Sequence, residues 1–172
     1  PAGLKKAILV HHFKTSPPKP VELEKVYQQI ISDRDIRENI ARMEESGSTV
    51  VYYSADIRNP EALSHVIESI KQQHGSITAL IHGAGIKEDK RIADKTLASF
   101  ARVIETKIKG FDNLIAELVP DELKYMVLFS SVAARTGNPG QIDYAAANEI
   151  LNKKAQQLAV IHPACKIVSI NW

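Results

Sequence analysis

After Gly47, short apolar runs alternate with amphipathic helical stretches, and this alternation restricts the fold more than any other feature of the chain. Thr49-Val50-Val51-Tyr52-Tyr53-Ser54 is rich in β-branched and aromatic residues and reads as a strand. Asn59-Pro60-Glu61 supplies a cap, a first-turn proline and a first-turn acid. The helix that follows carries Leu63, Val66, Ile67 and Ile70 and stops at Gly75. Ile77 to Ile81 is a short buried strand. Leu97 to Leu118 is one long amphipathic helix with Phe100, Val103, Ile104, Ile108, Phe111, Leu114 and Ile115 along it. Tyr125 to Phe129 is the next strand, Ile142 to Ile161 the next helix, and Lys166 to Ile170 the last strand. This β-α-β-α-β-α-β order predicts an α/β fold, a doubly wound parallel sheet with helices on its faces.

The first third is different. Leu4, Ala7, Ile8 and His11 share a helical spacing between Pro1 and Phe13. Regular structure is excluded from Thr15-Ser16-Pro17-Pro18-Lys19-Pro20, because proline fixes φ and removes a donor. Val21 to Ile31 and Asp33 to Glu45 read as two further helices, the second with Ile36, Ile40 and Met43 on one face. The chain therefore divides into a helical, proline-interrupted lead-in over 1–47 and an α/β part over 48–172. At 172 residues it is one domain or a large part of one.

Composition removes several function classes. With 22 Lys+Arg against 20 Asp+Glu, the net charge of +2 supplies no electrostatic reason for nucleic acid or an anionic membrane. No apolar run approaches the roughly 18–20 residues of a membrane span. Pro1 to Lys6 carries no signal-peptide pattern. Cys165 is alone, so it has no internal disulfide partner and no cysteine-rich zinc site, and a reducing cytoplasm is the default compartment. His11 and His12 read as surface residues with no third ligand nearby.

In an open parallel sheet, ligands bind at the carboxyl ends of the strands. There the sequence places Ala55-Asp56, then His82-Gly83-Ala84-Gly85, then Ser130-Ser131, then Asn171-Trp172. Each is ordinary alone. Gly-Ala-Gly is a tight turn as readily as a place where backbone approaches a ligand. Asp56 reads equally as a solvated acid, the serines as loop hydroxyls, Tyr144 as a helix-face tyrosine and Lys107 as a solvated charge. Together they say more. Tyr144 and Asn148 stand four apart on one helix face. Ser131 precedes them by a loop, and Lys107 lies on the helix before that strand.

These residues resemble the short-chain dehydrogenase/reductases, specifically the ketoreductase domain of modular polyketide synthases. The resemblance rests on HGAG at 82–85, ETKIKG at 105–110, VLFSSVAARTGNPGQIDYAAAN at 127–148 and the terminal Asn171-Trp172, and it covers residues 48–172. The wider family carries Tyr-x-x-x-Lys, whereas Asn148 follows Tyr144 here. In polyketide ketoreductases Lys and Asn are exchanged, and Lys107 lies at that family's spacing, so the tetrad is complete. The lead-in SDRDIRENIARMEESG and the ANEILNK segment are similar to ketoreductases of polyunsaturated-fatty-acid synthases.

The resemblance implies a Rossmann-like sheet and NADPH-dependent reduction of a β-ketoacyl thioester on an acyl carrier protein. Tyr144 would be the general acid. A free tyrosine titrates near ~10, and the Lys107 cation would favour its ionised form. Ser131 would hydrogen-bond the ketone oxygen, and Asn148 would hold the Lys or a relay water. Asp56 and Ile57 would lie by the adenine, and Gly83, Ala84, Gly85, Lys107 and Tyr144 along the cofactor. Ketoreductases giving the D (3R) alcohol carry Leu-x-Asp after the cofactor glycines; Lys87-Glu88-Asp89 keeps the Asp and lacks the Leu. Pro139 also fits the D pattern, and Thr136 stands where the opposite class has Trp.

No Gly-x-Gly-x-x-Gly occurs in the chain. The family's first strand, central in its sheet, with its glycine turn, is expected before Pro1, and a substrate lid is expected beyond Trp172. Residues 1–172 alone are then expected to bind NADPH poorly. Two readings compete with the reductase: a non-catalytic structural module of a synthase, and an unrelated nucleotide-binding α/β module such as an epimerase, which the missing Tyr-x-x-x-Lys disfavours.

Overall fold

The computed structural model describes residues 2–13, 18–118 and 122–172. Thr15, Ser16 and Pro17 of the proline patch, and Pro1, lie outside the described residues. Two compact units divide the chain, one ending at Tyr52 and the other running Tyr53–Trp172.

The first unit is helical. Helix α1 spans Ala2–His11 and α2 spans Pro20–Glu45, joined by a Lys5–Glu24 ion pair at 2.6 Å. The two helices expected over 21–45 are one. At the expected break before Asp33, the Gln29 amide donates to the Asp33 carboxylate at 2.9 Å, an i,i+4 bond that carries the helix across it.

The strand expected over 49–54 is also absent, because none of these residues joins a ladder. A strand exists by pairing, and β propensity alone does not supply a partner. Val51 and Tyr52 remain exposed.

In the second unit, α3 (Pro60–His74) begins where expected. The Asn59 side chain accepts from the Ala62 N–H at 3.2 Å, and Gly75 ends the helix at φ +81°. Strands β1 (Ala79–His82), β2 (Tyr125–Ser130) and β3 (Lys166–Asn171) form a parallel sheet in the order β1-β2-β3. The register sets His82 beside Leu128 and Ser130 beside Asn171. The strand ends that carry chemistry therefore share one edge.

The helix expected over 97–118 is broken in character. It runs as α4 (Leu97–Ile104), a π-helical turn (Glu105–Lys109) and α5 (Gly110–Glu117). A π turn holds one extra residue and is common at functional sites. Here it buries both Lys107 and Ile108. The short α6 (Ala133–Thr136) leads into α7 (Ile142–Ile161), which matches expectation. Ala147, Leu151 and Ala155 of α7 pack at four-residue intervals into a core shared with Leu63, Ile67, Phe111, Met126 and Leu128. Burying a side chain like Leu151 contributes about 2 kcal/mol.

Gly110 is small for a reason. A Cβ there would lie 2.3 Å from Cδ1 of Ile57. The Asn113 amide also donates to the Ile57 carbonyl at 2.9 Å, so the segment before α3 is seated on α5.

Candidate active site

A 380 Å³ cleft opens at the carboxyl edge of the sheet. Gly83 and Gly85 line it from the turn after β1, Phe129 and Ser130 from the end of β2, and Lys107 and Tyr144 from the π turn and α7. Lys87 and Trp172 complete its wall.

Lys107 is held on several sides. Its side chain lies within the fold, 5% exposed, and the ammonium donates to the Phe129 carbonyl at 2.8 Å. Burial pulls its pKa down from 10.5 to about 8. Its own carbonyl lies 3.0 Å from Nε2 of His82. Burial holds that imidazole near a pKa of about 4, so it is neutral at pH 7, and because a carbonyl only accepts, the proton sits on Nε2. Gly85 makes room for the lysine: a Cβ there would stand 3.0 Å from Cε of Lys107.

Tyr144 is half-buried in the first turn of α7, and the Lys87 ammonium sits 4.8 Å from its ring centroid. Asn148, one turn on, is fully buried and donates to the Tyr144 carbonyl at 2.7 Å. Its Oδ1 finds no donor among the described residues. A buried acceptor without a partner is costly, and it marks a place for a donor supplied from outside the chain.

Three other residues make their hydrogen bonds with the chain itself. Ser131 is buried with its hydroxyl accepting from the Ala133 N–H at 3.3 Å, while Ser130 lines the cleft and donates to the Asn148 carbonyl. Asp56 is exposed and clasped by Arg58, whose guanidinium and backbone N–H hold the carboxyl near a pKa of about 2. Asp89 accepts from the Gln141 amide at 2.7 Å, which ties it to the loop that carries Pro139.

The residues fit a nicotinamide cofactor. The glycine turn after β1 leaves backbone open to the cleft, with only Phe129 among the described residues within 4 Å of a Cβ placed on Gly83. The Lys107 ammonium retains protons beyond the one it shares with Phe129, and Asn148 presents a free acceptor.

A family model described as the KR domain matches residues 26–172. The chain belongs to the KR-domain family. It is 34% identical over 143 residues to a polyunsaturated fatty acid synthase of Thraustochytrium sp., covering 83% of this chain. It is 35% identical over 136 residues to the polyketide synthase PksM of Bacillus subtilis, covering 79% of this chain. It spans 5% and 3% of the lengths of those relatives. The solved N-terminal ketoreductase from the macrolactin assembly line superposes with a TM-score of 0.75 at 32% identity, over 81% of this chain and 29% of that one. That match gives the sheet the Rossmann-like identity expected of it. The KR match also begins inside α2, upstream of the stretch in which the resemblance is read from motifs. No described helix is long and apolar enough to cross a membrane.

The sequence did not announce Lys95, Asp143 and Gln141 as neighbours of the site. Asp143 stands beside Tyr144, but nothing local reveals that it is buried or which cation it meets.

Proposed function

We propose that this KR domain carries out NADPH-dependent reduction of a β-ketoacyl thioester, presented on the phosphopantetheine of an acyl carrier protein within a larger synthase. The observation that carries this reading is the meeting of Tyr144 and buried Lys107 in one cleft, with Asn148 bonded to the Tyr144 turn. A non-catalytic module has no need of a buried ammonium in the same cleft as a tyrosine.

A nicotinamide held there would supply the hydride for the ketone carbon. The chain's residues manage the oxygen and the proton. Tyr144 gives its phenolic proton to the ketone oxygen, which leaves an alcohol on the substrate and a phenolate on the protein. The Lys107 ammonium would stabilise that phenolate and donate to a ribose hydroxyl of the cofactor. Ser131, with Ser130 beside it at the end of β2, steadies the developing oxyanion. Asn148 Oδ1 accepts from a relay water through which solvent restores the tyrosine proton. Gly83, Ala84 and Gly85 let backbone approach the cofactor, and Asp56 with Ile57 attends the adenine. The product is the D (3R) alcohol, with Asp89 and Pro139 on the side from which the acyl chain enters.

The test is NADPH oxidation by the full-length protein with a β-ketoacyl thioester, beside its Tyr144→Phe variant. Loss of one hydroxyl should cut turnover by about 100-fold or more and leave NADPH affinity unchanged. Undiminished turnover in the variant would remove Tyr144 from the chemistry. A folded wild-type protein that binds NADPH and reduces no ketoester would favour the structural-module reading.

A further inference from the structure

We propose that the buried Lys95–Asp143 ion pair is a positioning device that bolts the segment after β1 to the first turn of α7 and so fixes Tyr144. The proposal rests on Tyr144 as the acid. The two side chains are 4% and 1% exposed, with Nζ 2.5 Å from Oδ2. Lys95 also donates to the Glu88 carbonyl at 2.6 Å, and the other oxygen of Asp143 accepts the Tyr144 backbone N–H at 2.9 Å. One carboxylate thus grips the loop with one oxygen and the tyrosine's own peptide with the other.

Two more bonds cross the same seam. Gln141 donates to Asp89 at 2.7 Å, and the Lys90 N–H donates to the Gly140 carbonyl at 2.9 Å. The segment they secure places the Lys87 ammonium over the Tyr144 ring. A buried ion pair is a poor source of stability, since desolvation of both charges offsets much of their attraction. Apolar residues of similar size would hold the seam as firmly. They would not set its direction, whereas the pair bonds along defined lines and dictates where the tyrosine's backbone sits.

The test uses the full-length protein with Lys95→Met/Asp143→Leu, which removes the pair without stranding a charge. Steady-state kinetics are read beside hydrogen exchange of residues 86–96 and 137–145. The melting temperature should stay close to wild type. The kcat should fall by about tenfold to a hundredfold with KM little changed, as a slightly displaced catalytic group predicts. Both segments should lose exchange protection together. A folded double variant with unchanged kcat and unchanged exchange overturns the proposal. If the double variant fails to fold, Lys95→Arg decides, because it keeps the charge and alters the reach. A lower kcat at unchanged stability supports positioning, and wild-type kinetics reject it. If the wild-type protein reduces no ketoester, the acid reading has failed, and exchange alone judges the bolt: joint loss of protection upholds it and no change rejects it.

Discussion

His82 on β1 reaches across the sheet edge to the carbonyl of Lys107, 3.0 Å away, and this bond joins the strand to the π turn. The imidazole is buried and lies 5.4 Å, ring to ring, from Phe111. Its folded pKa of about 4 lies below the ordinary 6.5, so the unfolded chain takes up the proton first. The stability that neutral His82 contributes is present above pH 6.5 and is lost as pH falls from there towards 4. The full loss is about 3 kcal/mol. Chemical denaturation at pH 7 and pH 4.5 should show most of this difference, and it should shrink in His82→Gln. An equal pH dependence in both proteins would place the acid-sensitive group elsewhere.

Lys107 predicts opposite trends at alkaline pH. Its folded pKa of about 8 is below the ordinary 10.5, so between these values the native chain has released a proton that the unfolded chain keeps. This group therefore makes stability rise with pH across that window. Activity that needs the ammonium should instead fall above about pH 8 in a profile of kcat/KM, the parameter that reports on free enzyme. In Lys107→Arg the cation persists and the falling limb should move to higher pH. A limb that stays in place would belong to another group.

Gly85→Ala separates function from stability. The added Cβ meets the far end of the Lys107 side chain, 3.0 Å from Cε and 3.4 Å from Nζ. A side-chain rotation that costs about 1 kcal/mol or less relieves the contact. The ammonium is displaced all the same, and turnover should drop by about tenfold with the melting temperature nearly unchanged. Full activity would show that the lysine tolerates a wider range of positions than the cleft suggests.

Gly110→Ala should behave in the opposite way. Its Cβ would press on Cδ1 and Cγ1 of Ile57, at 2.3 and 2.6 Å, in a packed seam. Overpacking of this kind costs about 1–3 kcal/mol. Thermal unfolding should begin several degrees earlier, and Ile57→Ala in the same protein should recover part of the loss. Failure of that rescue would mean the strain lies elsewhere in α5.

Much of the second unit was legible because local and long-range preferences agree there. The cap at Asn59, the stop at Gly75 and the apolar face of α7 each place an element end where it is found. Residues 49–54 show the opposite case. Their side chains favour a strand, but pairing belongs to a neighbour that a local pattern cannot reveal. The expected break between Ile31 and Asp33 is bridged, because Gln29 makes Asp33 a mid-helix partner. The π turn is hidden because one surplus residue leaves the apolar rhythm of 97–118 almost intact. Within the site, the cleft brings together Tyr144 and Lys107, as their places in the sequence led one to expect, and Asn148 bonds the Tyr144 carbonyl from one turn on. The Lys95–Asp143 pair was not legible, since 48 residues separate its members.

That surplus residue has a consequence for how the segment can change length. Losing one residue from α4 or α5 would swing everything beyond it by about 100° and turn the core face towards water. Losing one residue within Glu105–Lys109 would only tighten the π turn into ordinary helix, leaving both flanks in phase. The fold therefore has one place along this helix where it tolerates a deletion, and it is the place that presents Lys107. A chain shortened there would keep its architecture while the Lys107 ammonium lost its place at the cleft.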